Sequence, residues 1–186
     1  MGRWQPDARA RLESAALEEF GERGYDTVTV AEIAARAGLT ERTFYRHFAD
    51  KREVLFAGQD VLRDLLVERT AEALASAPPW AALERAFTAA AEAIAARDEL
   101  PLRRQTVVEA NQALRERELY KLDLIARSLG ALLAEHGADG ARTLGEASVA
   151  AFKVAFEEWV RVPGAAPLTQ RVAASFATLR RGVAAR

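Results

Sequence analysis

Apolar and polar residues along the chain recur at helical spacing almost from end to end. Leu12, Ala16 and Phe20 mark one stripe of a first helix over about 6–23, with Pro6 suited to its first turn and Gly24 to its stop. The β-branched run Thr27–Val28–Thr29 interrupts the pattern. Thr29 and Glu32 have the spacing of a capping box, opening a short helix with Val30, Ile33, Ala34 and Ala37 inward. Gly38–Leu39 ends it, and Thr40 starts another short helix through about Phe48. Asp50 and Glu53 repeat the box spacing and open a long helix to about Ala75, with Val54, Ala57, Val61, Leu62, Leu65 and Arg69 as its stripe. Pro78–Pro79 and Asp98–Pro101 break the chain. Between and beyond them the periodicity predicts helices over about 80–97, 102–115, 118–135, 142–160 and 168–183. The expected fold is all-α, with nine helices and no strand.

Composition agrees: of 186 residues, 50% are hydrophobic and 28% charged, while 11 glycines and 6 prolines are too few for a sandwich or barrel. Cysteine is absent, which excludes disulfides, thiol catalysis and cysteine-ligated metal sites. His47 and His136 are the two histidines, and no zinc, calcium, phosphate-loop or serine-hydrolase motif accompanies them. The sequence therefore predicts no catalytic residues, no bound metal and no cofactor. The polar start and the lack of a long apolar stretch predict no secretory leader and no membrane span, hence the cytoplasm.

Charge is uneven. Arg3, Arg9 and Arg11 face only Asp7 at the start. Glu13, Glu18, Glu19, Glu22, Asp26 and Glu32 then outnumber Arg23. Over 36–52 the balance turns basic again, with Arg36, Arg42, Arg46, Lys51 and Arg52 against Glu41 and Asp50. Such alternation fits a solvated surface, and equally a local patch that a polyanion would feel.

The two short helices about Ala37–Gly38–Leu39 form a helix-turn-helix. Ile33, Ala34, Leu39, Phe44 and Phe48 are its inner residues. Glu41, Arg42, Thr43, Tyr45, Arg46 and His47 remain for other faces, a set suited to a DNA major groove. Arginine can hold guanine through two bonds, threonine can meet a thymine methyl, and tyrosine and histidine can reach phosphate.

The run Thr27-Val28-Thr29-Val30-Ala31-Glu32-Ile33-Ala34 through Gly38-Leu39-Thr40 to Phe44-Tyr45-Arg46-His47-Phe48 and Asp50-Lys51, preceded by Ala15 to Phe20 and Gly24-Tyr25, resembles the DNA-binding signature of the TetR family of transcriptional repressors. The resemblance covers about the first third of the chain. It implies a helix-turn-helix domain over 1–52 and a helical effector-binding and dimerisation domain over 53–186. It also implies a homodimer on a palindromic double-stranded operator, with DNA released by a small molecule held among the middle helices. By the same resemblance Thr29, Thr40, Tyr45, His47 and Lys51 are phosphate contacts. Glu41, Arg42, Thr43 and Arg46 lie near base edges, and Arg3 and Arg9 form a basic arm. Read without it, His47 and Lys51 are surface residues, Thr29 is a cap, and Glu41 reads a cytosine, caps its helix or faces solvent.

The effector region is read from composition. The sixth helix carries Arg103 and Arg104 beside Val107. It is either a solvated helix or the place where an arginine meets an anionic ligand. Phe87, Phe152, Phe156 and Trp159 are pocket walls or packing. The layout of helices six to eight, with a tryptophan late in the eighth, resembles the mycofactocin-type regulators, which implies acyl-coenzyme A as effector; the arginines of the sixth helix suit that or another hydrophobic anion. The alternative is a DNA-binding protein with no effector. For the dimer, the small and apolar positions Ala147, Ala151, Val154, Val172, Phe176 and Leu179 on the last two helices are the expected interface.

Overall fold

The computed structural model describes residues 7–97 and 99–184, of residues 183 and 184 the backbone only. Its elements are α1 (Ala8–Arg23), α2 (Val30–Arg36), α3 (Glu41–His47), α4 (Glu53–Leu74), α5 (Pro79–Ala95), α6 (Leu100–Glu109), α7 (Gln112–Glu135), α8 (Ala141–Arg161) and α9 (Leu168–Ala184). The described residues thus hold nine helices and no strand. The expected Pro6 start and the Arg3 arm lie outside the described residues.

The chain divides into two compact units, one made of 1–58 with 102–118 and the other of 59–101 with 119–186. The first unit thus takes in residues 53–58 and, from the middle of the chain, 102–118.

In the first unit α1 packs on α2 and α3, burying Leu12, Ala16, Phe20, Ile33, Phe44 and Phe48. The first turn of α4 adds Val54, Leu55, Phe56 and Ala57, all buried. Asp50 starts that helix: its Oδ1 accepts from the amides of Arg52 at 2.8 Å and Glu53 at 3.2 Å. The sequence places the break between the sixth and seventh helices too late. It falls at Ala110–Asn111, where Asn111 Oδ1 accepts from the amide of Leu114 at 3.2 Å and so starts α7 at Gln112.

The second unit has a continuous core. Leu66 of α4, Leu83, Phe87 and Ala90 of α5, Ile125, Leu129 and Leu133 of α7, Phe152 and Ala155 of α8, and Leu168, Val172 and Phe176 of α9 meet there. Of the expected α4 stripe, Val54 and Ala57 are buried and Leu62 and Leu65 pack on a core, while Val61 is 61% exposed and Arg69 faces solvent; Leu66 and Thr70 point inward. Alpha-helices α7 and α8 approach at two glycines. A Cβ on Gly145 would stand 2.5 Å from the carbonyl oxygen of Ala126 and 2.9 Å from the nitrogen of Gly130.

Candidate nucleic-acid interface

Local chemistry sets the two short helices. Thr29 and Glu32 make the capping box: the Thr29 amide and hydroxyl donate to Glu32 Oε2 at 2.7 and 2.8 Å, and the Glu32 amide donates to Thr29 Oγ1 at 3.3 Å. Those donors, the Thr29 amide foremost, and Arg23 at 2.8 Å hold the Glu32 carboxyl at about 2. Thr40 Oγ1 accepts from the amide of Thr43 at 3.2 Å and caps α3. Gly38 makes the turn with φ +64°, and Arg11 donates to the carbonyls of Ala37 and Gly38. The Arg11 guanidinium fills the space beside Gly38, 3.0 Å from where a Cβ would lie.

Charge on α1 and α2 is internally matched. The Arg36 guanidinium contacts Glu18 at 3.2 Å, Glu19 at 2.7 Å and Glu22 at 2.8 Å. The Arg36 hydrogen bond is the main reason the Glu22 carboxyl sits below its ordinary value. On α3 the picture differs. Glu41, Arg42, Tyr45 and Arg46 are exposed along one face, Tyr45 to 55%, while Phe44 is buried beneath them. Among the described residues neither Arg42 nor Arg46 has an ion-pair partner. Thr43 and His47 are half-buried, and His47 Nε2 is buried without a hydrogen-bond partner. This leaves a short helix whose solvent face carries two guanidiniums without an ion-pair partner, a phenol and the Glu41 carboxylate.

The side chains of three expected residues have partners within the fold. Lys51 is half-buried, and its Nζ donates to the carbonyls of Tyr25 and Val28, both at 2.8 Å. Arg9 lies against the fold rather than on an arm: it pairs with Glu13 at 3.3 Å and donates to the Ala57 carbonyl at 3.1 Å. Thr29 has both its polar groups engaged in the cap.

The residues expected at the effector site belong to both units. In the first, Arg104 is structural: Nε donates to the Leu55 carbonyl at 2.8 Å, Nη1 pairs with Glu118 at 2.8 Å, and the guanidinium lies 5.0 Å from the centre of the Phe56 ring. The arginine count of the sixth helix therefore overstates its capacity for a ligand. Arg103 is exposed and Val107 buried. In the second unit Phe87 and Phe152 (ring centres 5.3 Å apart), Phe152 and Phe156 (6.1 Å), and Phe156 and Trp159 (5.7 Å) form a continuous aromatic run.

The expected dimer residues also separate. Ala151, Val172 and Phe176 are buried in the core of their own unit, and the Phe176 ring lies 4.8 Å from Trp80 and 5.6 Å from Phe87. The physical reason is that α9 turns its 168–172–176 stripe onto α5 and α8. Val154, 49% exposed, Leu179, 37% exposed, and half-buried Ala147 remain at the surface.

Among the described residues no helix is long and apolar enough to cross a membrane, and no three acidic or histidine side chains cluster to hold a metal ion.

Known proteins share this head. Bacterial regulatory proteins of the tetR family match residues 13–57, which take in most of α1, all of α2 and α3 and the start of α4. The transcriptional activator FasR of Mycolicibacterium smegmatis is 38% identical over 68 residues, 37% of this chain and 31% of FasR. The chain spans 26% and 36% of the lengths of two further curated regulators that it matches. Over the whole fold, NalD of Pseudomonas aeruginosa, the secondary repressor of a multidrug efflux pump, superposes with a TM-score of 0.66 at 20% identity, covering 94% of this chain and 96% of NalD. FadR of Bacillus subtilis, solved with stearoyl-CoA, gives a TM-score of 0.64 at 21% identity, with 91% and 96% covered. Residues 13–57 thus match the tetR family of bacterial regulatory proteins, and the solved regulators share the fold of the chain.

Proposed function

We propose that the chain is a cytoplasmic transcriptional regulator that binds a palindromic DNA operator as a homodimer and represses until a small hydrophobic or acyl-type molecule releases it. The observation that carries the DNA reading is the exposed face of α3, where Arg42 and Arg46 are unpaired while the carboxylates of α1 are matched by Arg36 and Arg23. Arg42, Arg46, Thr43 and Glu41 face base edges in this reading; Thr40, Tyr45 and His47, with the backbone beside Thr29, lie near phosphate. The test is a random pool of duplexes enriched on the protein. Recovery of a palindrome, bound by wild type and lost in an Arg42→Ala, Arg46→Ala variant of unchanged Tm, is the expected result. Equal binding by that variant sinks the reading.

The effector proposal draws on the likeness to FadR with its stearoyl-CoA and on the aromatic run from Phe87 and Phe152 to Phe156 and Trp159. The last two are half-buried and offer apolar surface. The ring-on-ring packing of Phe87 with Phe152 also favours a second reading, a repressor with no effector. A panel of acyl-coenzyme A thioesters separates the two: a rise in Tm together with lost operator binding supports the first, and no change in either supports the second.

A further inference from the structure

Lys51 lies between α3 and α4, yet its ammonium is bonded to the link between α1 and α2. Nζ donates to the carbonyls of Tyr25 and Val28 at 2.8 Å each, and stands 4.2 Å from the centre of the Tyr25 ring. That ring tilts against Phe20 of α1 at 5.1 Å, and Phe20 is buried. An ammonium has three donors in fixed tetrahedral directions. Two are held by carbonyls, and the ring face lies against the cation. The carbonyl oxygens also surround the nitrogen with partial negative charge, which repels a phosphate. Burial pushes the Lys51 amine below its ordinary value, while Asp26 and Glu32 work the other way.

We propose that Lys51 is a positioning residue of the reading head: it locks the α1–α2 link to the α3–α4 turn and so sets the pose of α3, without touching DNA. The proposal rests on the DNA-binding reading above. It also follows from what each bond connects. Residues 25–28 leave α1, and Lys51 follows α3 by a few residues, so one ammonium ties the α1–α2 link to the turn that follows α3. Without it, Val28 and Tyr25 lose a charged donor, and the turn after α3 loses its ammonium tie to the α1–α2 link. A loosened α3 weakens every DNA contact together, because register on the duplex is common to all of them.

Phosphate contact and positioning differ in one measurable quantity. Each phosphate contact releases counterions and steepens the dependence of log K on log salt, and a positioning residue does not. The experiment is a salt titration of wild type and Lys51→Met on a mixed-sequence duplex and on the duplex enriched from a random pool. For Lys51→Met we expect binding weakened severalfold to both duplexes at the wild-type slope, with a lowered Tm. A Lys51→Met slope shallower by roughly two for a dimer, or an unchanged affinity, overturns the proposal. Tyr25→Leu removes the ring and leaves the ammonium in place, so it serves where Lys51→Met does not fold. It should weaken binding at unchanged slope, and unaltered affinity again overturns the proposal. A wild type that binds neither duplex overturns the DNA reading and this proposal with it. A wild type that binds, with a flattened Lys51→Met slope, overturns the proposal alone.

Discussion

At Glu32 a single carboxylate answers to the Thr29 amide, the Thr29 hydroxyl and Arg23, and its pKa falls from the ordinary 4.5 to about 2. A depressed carboxylate contributes stability that is present above its unfolded value and lost as the pH falls through the folded one. Between pH 4.5 and about 2 the wild type should therefore lose stability more steeply than Glu32→Gln, followed by helicity during acid titration. Identical profiles would show that the box contributes nothing. On α3, Arg42→Ala should cost on the order of 1–3 kcal/mol per lost base contact and relax operator preference, leaving mixed-sequence binding nearly unchanged. Competition between operator and mixed duplex measures that ratio, and an equal loss on both contradicts the base-reading role. The capping box was legible because Thr29 and Glu32 are three residues apart and serve each other. Lys51 was not, because its partners lie 23 and 26 residues back and its chemistry alone suits a phosphate as well as a carbonyl.

Helix boundaries and faces show the same division between local and distant causes. The α1–α3 spans follow from Asp7, Thr29, Thr40 and Gly38, each acting within a few residues. The α6–α7 break was misplaced because Asn111 begins a helix in a stretch otherwise rich in helix formers, where one cap outweighs propensity. Asn111→Ala should lower stability by about 1 kcal/mol, read as a shift of the denaturation midpoint at constant m-value. Removing Asn111 also frees Asp26, which its Nδ2 contacts at 3.1 Å. The α7–α8 crossing was invisible for another reason: no spacing rule marks Gly130 and Gly145 as facing each other. Gly145→Ala would force a Cβ into the Ala126 carbonyl, and backbone cannot give way as a side-chain end can. We expect roughly 1–3 kcal/mol of destabilisation, a lowered Tm and unchanged DNA affinity per folded molecule. A fully tolerated alanine would contradict so close a crossing.

For the whole molecule, the division of α8 and α9 into a buried stripe and an exposed remainder changes which substitution tests assembly. Phe176→Glu would place a carboxylate in the core beside Trp80 and Phe87 and unfold its unit, so it reports folding and not association. Val154→Glu alters an exposed position. It should leave Tm near wild type at low concentration while shifting sedimentation from dimer toward monomer. A Val154→Glu protein that sediments as wild type moves the interface elsewhere. The second consequence belongs to the first unit, which takes residues 102–118 from the middle of the chain as well as 1–58. Arg104 reaches the Leu55 carbonyl, Arg117 pairs with Glu53 at 2.6 Å, and Val108 and Leu114 are fully buried. A hybrid built by joining residues 1–52 to a foreign chain would thus inherit an incomplete first unit, missing Val54, Leu55 and Phe56 and both arginine ties. Exchange of the first unit has to move two stretches of gene together, so that unit is not a detachable cassette.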